Sequence, residues 1–248
     1  MQTVSLFIPC LVDQVCPEIG LSMANVLRRL GLEVKYDPRQ TCCGQPAFNT
    51  GYRSEALRVA NHFLDVFGAT EALVAPSGSC VAMVRNFYPA LFTNHPRRAE
   101  AVALGGRVFE LSEFLVHKLH VSEIQAEYHR KACFHNSCHS LRELGLNDEP
   151  LTLLRSVKGL ELIEQKDEPV CCGFGGLFSA KFPSISSAMT RSRIETYAGL
   201  GAEAIISNDP GCIQQMRQEA QSLGSKIEIL HLAEVLDQPS REQSGQNN

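Results

Sequence analysis

Short apolar runs alternate with stretches of helical periodicity along nearly the whole chain. Residues 4–9 form a run short enough for a buried strand, 19–30 carry apolar residues at the spacing of an amphipathic helix, and 32–36 predict a second strand. A helix over 54–67, a strand over 72–75, a helix over 79–92 and a strand over 107–111 complete a β-α-β-α-β-α-β series. The second half repeats it, with strands over 131–135, 160–165, 204–207 and 226–230 and helices over 149–158, 185–198 and 211–223. The closing segments Glu113-Phe114-Leu115 and Glu234-Val235-Leu236 also echo one another.

Strands joined by helices must run parallel, and right-handed crossovers place those helices on both faces of the sheet. The expected architecture is therefore α/β, a tandem duplication of a small doubly wound, Rossmann-like parallel sheet. One unit is expected over residues 1–120 and the second over 131–237, followed by a disordered polar tail over 238–248. Residues 94–106 are read as a joining segment in the first unit, and 118–130 as the linker between units.

Eight of the ten cysteines follow the same repeat. Thirty-one residues separate Cys10 from the pair Cys42-Cys43, and 35 separate Gly44 from Cys80. In the second half, 32 separate Cys138 from Cys171-Cys172 and 38 separate Gly173 from Cys212. Adjacent cysteines have Cα atoms about 3.8 Å apart, below the usual disulfide range, so a bridge between neighbours would be strained. Two adjacent thiolates suit a polynuclear iron–sulfur centre, since each can bind a different iron while the glycine lets the backbone fold close to it. Four cysteines also satisfy a tetrahedral zinc ion, and that alternative stays open. Cys10, Cys80, Cys138 and Cys212 each follow an expected strand, and each pair sits in the loop after the second strand of its half. All eight should gather outside the carboxyl ends of the strands, where open α/β sheets bind ligands.

The remaining candidates are weaker. Cys133 falls inside a strand and reads as core, whereas Cys16, near a helix start, is open to a reserve-ligand or redox role. Gly173-Phe174-Gly175-Gly176 lacks dinucleotide-binding spacing and reads as a tight turn around a cluster. His135 and His139 flank Cys138 and can either donate an N–H to a cluster sulfur or simply pack. Ser77 and Asp209 stand at matching positions before Cys80 and Cys212, so a carboxylate is expected beside the second set alone. No Ser-His-Asp set, Walker loop or pair of catalytic carboxylates can be picked out, which leaves electron chemistry as the reaction class.

Composition narrows the partners. A net charge of −4, the absence of Trp and 7% aromatic residues give neither a basic surface nor stacking platforms for nucleic acid. No apolar run approaches the roughly 18 residues of a membrane span, so membrane contact would come through a partner. The first ten residues lack a basic segment and a long apolar run, and so many thiols in such a chain fit a reducing cytoplasm.

The repeated pattern resembles the CCG, or cysteine-rich, domain found in heterodisulfide reductases and in the iron–sulfur subunits of glycolate and anaerobic glycerol-3-phosphate dehydrogenases. Phe7-Ile8-Pro9-Cys10, Thr41-Cys42-Cys43-Gly44-Gln45-Pro46-Ala47, Phe134-His135-Asn136-Ser137-Cys138-His139 and Cys171-Cys172-Gly173-Phe174-Gly175-Gly176 are similar to the lactate utilisation protein A family. The resemblance spans nearly the whole chain as two copies. It implies an iron–sulfur electron-transfer subunit of a cytoplasmic complex that oxidises L-lactate to pyruvate, with a ferredoxin-type iron–sulfur subunit and a third small subunit as partners. It implies one cluster per half, [4Fe–4S] by ligand count, with zinc an alternative at a site. The heterodisulfide reductase relatives close each motif with C-x-x-C. Here Ser77 and Asp209 replace the first of those cysteines, which weakens a heterodisulfide-reductase-like reading.

Overall fold

Two four-stranded sheets, each wholly parallel, frame the computed structural model, which describes residues 2–163 and 170–239. The first contains β1 (Thr3–Leu6), β2 (Glu33–Tyr36), β3 (Leu73–Ala75) and β4 (Val108–Glu110), in the order β2-β1-β3-β4. The second contains β5 (Lys131–His135), β6 (Glu161–Ile163), β7 (Ala204–Ser207) and β8 (Glu228–His231), in the matching order β6-β5-β7-β8. The central strands carry uninterrupted apolar residues because helices cover both faces: Leu73, Val74 and Ala75 are all buried, as are Ala204, Ile205 and Ile206. In each sheet the chain leaves the first strand toward one side and later returns to its other side. The strand order therefore switches between β1 and β3 and between β5 and β7, leaving a crevice at their carboxyl ends. The architecture is α/β and the duplication is complete.

Fourteen helices are named among the described residues. The first half holds α1 (Cys10–Val15), α2 (Pro17–Arg29), α3 (Gln45–Asn49), α4 (Arg53–Phe67), α5 (Gly78–Ala82), α6 (Tyr88–Leu91), α7 (Arg98–Gly105) and α8 (Leu111–Glu113). The second holds α9 (Cys138–Glu143), α10 (Asp148–Arg155), α11 (Leu177–Lys181), α12 (Pro183–Gly199), α13 (Pro210–Ser222) and α14 (Leu232–Leu236). A π-helical turn over Met83–Phe87 joins α5 to α6, and another, Phe114–Lys118, extends α8.

The echo between the two closing segments has an atomic basis. Glu110 and His231 cap α8 and α14, and the third helical residue of each, Glu113 or Glu234, accepts the capping residue's backbone N–H in return. Those glutamates also bind arginines five residues past a motif cysteine: Arg85 to Glu113 at 2.8 Å and Arg217 to Glu234 at 3.0 Å. Each arginine further donates to a carbonyl of the last strand, Val108 or Ile229.

The halves do not stand apart. One apolar core runs through both, taking Leu6, Met23, Leu27, Phe114 and Leu115 from the first and Ala132, Phe134, Leu154, Leu232 and Val235 from the second. The closing helix of each half packs on the first long helix of the other, α14 on α2 and α8 on α10. Ile124, Ala126 and Tyr128 of the connecting stretch are buried in the same core. Arg217 reaches Glu18 at 2.7 Å across the junction.

Several boundaries differ from the sequence expectation. The first strand ends at Leu6, because Pro9 caps α1 and turns the chain. Residues 94–106 contain α7, whose Ala101 and Leu104 are buried. The short helices α1, α3, α9 and α11 were not expected, being only five or six residues long. In the expected strand 160–165, residues 164 and 165 lie outside the described residues, as does most of the expected tail, 240–248.

At the centre of the junction α5 lies on α9. Gly78, the first residue of α5, is buried, and a Cβ there would overlap Ser140 Oγ and stand 3.0 Å from Ser140 Cβ. Gly78→Ala is expected to lower stability by about 1–3 kcal/mol through overpacking, outweighing the roughly 1 kcal/mol that alanine gains in a helix. Combining it with Ser140→Gly should recover part of the loss. Denaturant midpoints of the two single variants and the double variant measure this, and additive losses would show that the two residues do not press on each other.

Candidate metal centre

Each of the four single cysteines lies in the first turn of a helix that begins where a strand ends. Cys10 and Cys138 are the first residues of α1 and α9; Cys80 and Cys212 are the third residues of α5 and α13. Three of these helices have a side-chain cap: Ser77 accepts from Cys80 N at 3.4 Å, Ser137 from Ser140 N at 3.2 Å, and Asp209 from Gly211 N at 3.0 Å. Such helix starts carry unpaired backbone N–H groups and the positive end of the helix dipole, which favour a nearby anion. Serine and aspartate caps, with Pro210 opening α13, are the sequence signals of these helix starts.

The cysteine pairs are held by their glycines. Gly44 and Gly173 have φ of 85° and 92°, in the left-handed region. A Cβ on Gly173 would stand 2.6 Å from Ser186 O and 2.8 Å from Thr190 Oγ1. This conformation turns the glycine N–H back onto the first sulfur of the pair, at 3.3 Å for Gly44 to Cys42 and 3.4 Å for Gly173 to Cys171. The carbonyl of the second cysteine is fixed from behind, Cys43 O by the Tyr88 hydroxyl at 2.9 Å and Cys172 O by Thr190 Oγ1 at 2.7 Å.

The eight thiols so placed line a single cavity of about 350 Å³ at the junction of the halves. Cys10 Sγ stands 3.7 Å from Cys42 Sγ, and Cys172 Sγ 3.0 Å from Cys212 Sγ. Cys43, Cys80, Cys172 and Cys212 are buried, Cys42, Cys138 and Cys171 half-buried, and Cys10 exposed. Sharing protons among neighbours splits their acidities. The Cys42 thiol, accepting from Cys10, from Cys43 and from backbone N–H groups, is pulled down to about 3; Cys171, bonded likewise by Cys138 and Cys172, falls to about 2. Cys10 and Cys138, which give their protons to these partners and are partly desolvated, are pushed up. Clustered soft donors with amide N–H groups behind them suit iron–sulfur centres and zinc alike.

Asp209 corrects the expectation that its carboxylate serves the second set alone. It is buried, and while Oδ1 caps α13, Oδ2 crosses the junction to accept from Ser79 N at 3.0 Å and from the Ser77 hydroxyl at 3.3 Å. One carboxylate thus stabilises the helix starts carrying Cys80 and Cys212 together. Gln45 donates to Ser79 O at 3.2 Å within the first half, and His139 Nε2 of the second half stands 3.5 Å from its Nε2.

The two cysteines outside the motif lie away from the cavity. Cys133 is buried within β5, where burial pushes its thiol up to about 11. Cys16 is also buried, between α1 and α2 with Gln214 Oε1 3.9 Å from its sulfur, and does not join the other eight. Gly173, Gly175 and Gly176 all have positive φ, and Phe174 between them lies against Gly211. His139 borders the cavity, with Nδ1 3.7 Å from Cys138 Sγ. His135 is buried behind the second set, its Nδ1 2.8 Å from the Tyr197 hydroxyl, and burial lowers its pKa to about 4. The sequence carried no sign of Tyr88, Thr190 or Tyr197 as supports, since their role depends on helices folding back over the pairs.

The split acidities have a consequence for metal-stripped protein. At pH 6 the lowered Cys42 and Cys171 are thiolates, while the raised Cys10 and Cys138 remain thiols. Brief iodoacetamide treatment under single-hit conditions is expected to label Cys42 and Cys171 first, even though Cys10 is more exposed and low-pKa thiolates are intrinsically slower nucleophiles. Peptide mass spectrometry reads the order; labelling that begins at Cys10 would contradict it.

The Cysteine-rich domain (CCG) family model matches the chain twice, over residues 4–85 and 132–217. Full-length relatives are similar throughout. "Lactate utilization protein A" of Halalkalibacterium halodurans is 41% identical over 238 residues, covering 96% of this chain and 98% of the relative. "Lactate utilization protein A 1" of Bacillus mycoides is 40% identical over 98% of this chain and 99% of the relative. "Lactate utilization protein A" of Geobacillus kaustophilus is 42% identical over 94% and 98%. With both domain copies matched and such identity sustained from end to end, the chain belongs to the lactate utilization protein A family.

Proposed function

We propose that this protein is an iron–sulfur electron-transfer subunit in the oxidation of L-lactate to pyruvate. Cys10, Cys42, Cys43 and Cys80 would hold one cluster, and Cys138, Cys171, Cys172 and Cys212 the other, each [4Fe–4S] by ligand count. The observation that carries this reading is the convergence of all eight thiols on one cavity, each set backed by helix N-termini and glycine N–H groups. The names of the relatives supply the link to lactate.

A bound iron–sulfur cluster supplies one-electron storage and release. The chain's own residues do the rest. The thiolates would hold the iron, and the amides of Gly44 and Gly173, which donate to the sulfurs of Cys42 and Cys171, would draw charge from them. Asp209 keeps the two sets in register across the junction. No helix among the described residues is long and apolar enough to cross a membrane. The proposed setting is the cytoplasm, with a ferredoxin-type iron–sulfur subunit and a third small subunit as partners. Exchange with the ferredoxin-type subunit would pass through the cavity side, where the half-buried Cys42, Cys138 and Cys171 come nearest to solvent together with Cys10.

Two experiments test this. Protein purified without oxygen is expected to contain iron and acid-labile sulfide for two clusters. The double change Cys42→Ser and Cys43→Ser should remove about half of both, and Cys133→Ser should remove none. Stoichiometric zinc without sulfide would replace the cluster reading by a structural one. Separately, L-lactate oxidation with an artificial acceptor is expected only in a reconstituted mixture of the three subunits. Turnover by the isolated chain, or undiminished turnover when it is omitted, would remove it from the proposed place in the electron path.

A further inference from the structure

The two sets of four cysteines are alike, yet what stands behind them is not. His135, the last residue of β5, lies three residues before Cys138; Phe7 holds the matching place before Cys10. Phe7 packs edge-on against Phe63, with ring centroids 4.8 Å apart, and offers no donor. His135 is 2% exposed, and although its Nδ1 meets the Tyr197 hydroxyl at 2.8 Å, its Nε2 has no hydrogen-bond partner. Leaving such a buried nitrogen unpaired is costly.

The His135 ring lies beside two of the sulfurs. One ring nitrogen of His135, Cys172 Sγ and Cys212 Sγ all lie within 4.8 Å of one another, and Nε2 has no hydrogen bond to either sulfur. Donors about 2.0–2.3 Å from one tetrahedral metal stand roughly 3.5–3.8 Å apart; the two sulfurs, at 3.0 Å, are closer than this, and the three donors lie near enough to reach one metal with small shifts. We propose that His135 is a nitrogen ligand of the second-half metal centre, a fifth donor beside its four thiols, which makes that centre a mixed cysteine–histidine site while the first-half centre is bound by cysteine alone. The inference rests on the reading that each set of thiols holds a metal.

Tyr197 makes this arrangement workable. The neutral ring has one N–H and one lone pair. With Nδ1–H donating to the tyrosine oxygen, the lone pair is left on Nε2, free to bind a metal. The Nε2–metal bond forms from that lone pair, no proton leaves the ring, and the thiols of Cys172 and Cys212 release theirs to solvent as they bind. Tyr197 is thus a positioning residue, and Tyr197→Phe is expected to weaken metal retention at this site about 10- to 100-fold without moving the first-half site.

The test uses protein purified without oxygen and labelled with ¹⁵N-histidine. Iron, zinc and sulfide are counted first, and pulsed electron paramagnetic resonance of the reduced protein then reads nitrogen coupled to the iron. A strong histidine coupling that disappears in His135→Phe, which installs the residue the first half uses, and in His135→Cys, which supplies sulfur instead, supports the proposal. If zinc is found, K-edge absorption of the same proteins asks the same question by counting nitrogen and sulfur neighbours. A metal-loaded second site with no histidine coupling, or only the weak coupling of an N–H···S hydrogen bond, overturns the ligand assignment and leaves the metal reading intact. A second site that holds no metal overturns both.

Discussion

Anionic sulfur cannot be taken out of water without donors to replace it, and this requirement organises the structure. A parallel sheet meets it without dedicated binding loops, because every strand ends where a helix begins and helix starts present unpaired N–H groups. Cys10, Cys80, Cys138 and Cys212 take up those starts on either side of the two switch points. The cysteine pairs, which arrive on loops, obtain theirs from a left-handed glycine that folds its amide back onto sulfur. Strand order, helix caps and glycine conformation thus serve one electrostatic end.

Duplication then sets the second constraint. Two half-molecules with the same topology each present four thiols at one edge, and the exchange of closing helices, α14 onto α2 and α8 onto α10, brings those edges face to face. The shared core makes the arrangement cooperative, since Leu6 and Phe114 pack in one cluster with Phe134 and Leu232. At the contact there is no room for an ordinary side chain at Gly78, and Asp209 caps helices on both sides. The geometry of either metal site therefore depends on the other half being in place.

Much of this was legible in the sequence, for identifiable reasons. Strand and helix periodicities are local, so the two four-strand series, the four single cysteines just past strand ends and the cysteine pairs in loops followed from patterning alone. The matched capping boxes were visible as an unexplained echo, Glu113-Phe114-Leu115 against Glu234-Val235-Leu236. The five- and six-residue helices around the cysteines were not legible, because a single turn has no periodicity to detect and is stabilised by its cap and its surroundings. Nor was the double role of Asp209: its partners Ser77 and Ser79 lie more than a hundred residues away and meet it only after the halves dock.

The crowding of thiols also bears on how such a site is filled. Two thiolates 3.7 Å apart would repel by about 4 kcal/mol at an effective dielectric constant near 20, and the cavity gathers eight such groups. Without metal, only part of the set can ionise, which is why Cys42 and Cys171 give up protons readily while Cys10 and Cys138 keep theirs. Full ionisation requires cations among the sulfurs, so metal binding and proton release occur together. Metal entry would then also relieve the repulsion that opposes docking of the halves around Gly78 and Asp209. On the proposed reading the bound centres would be structural as well as redox elements, with the thiol array, the shared core and the crossed helices stable as one unit.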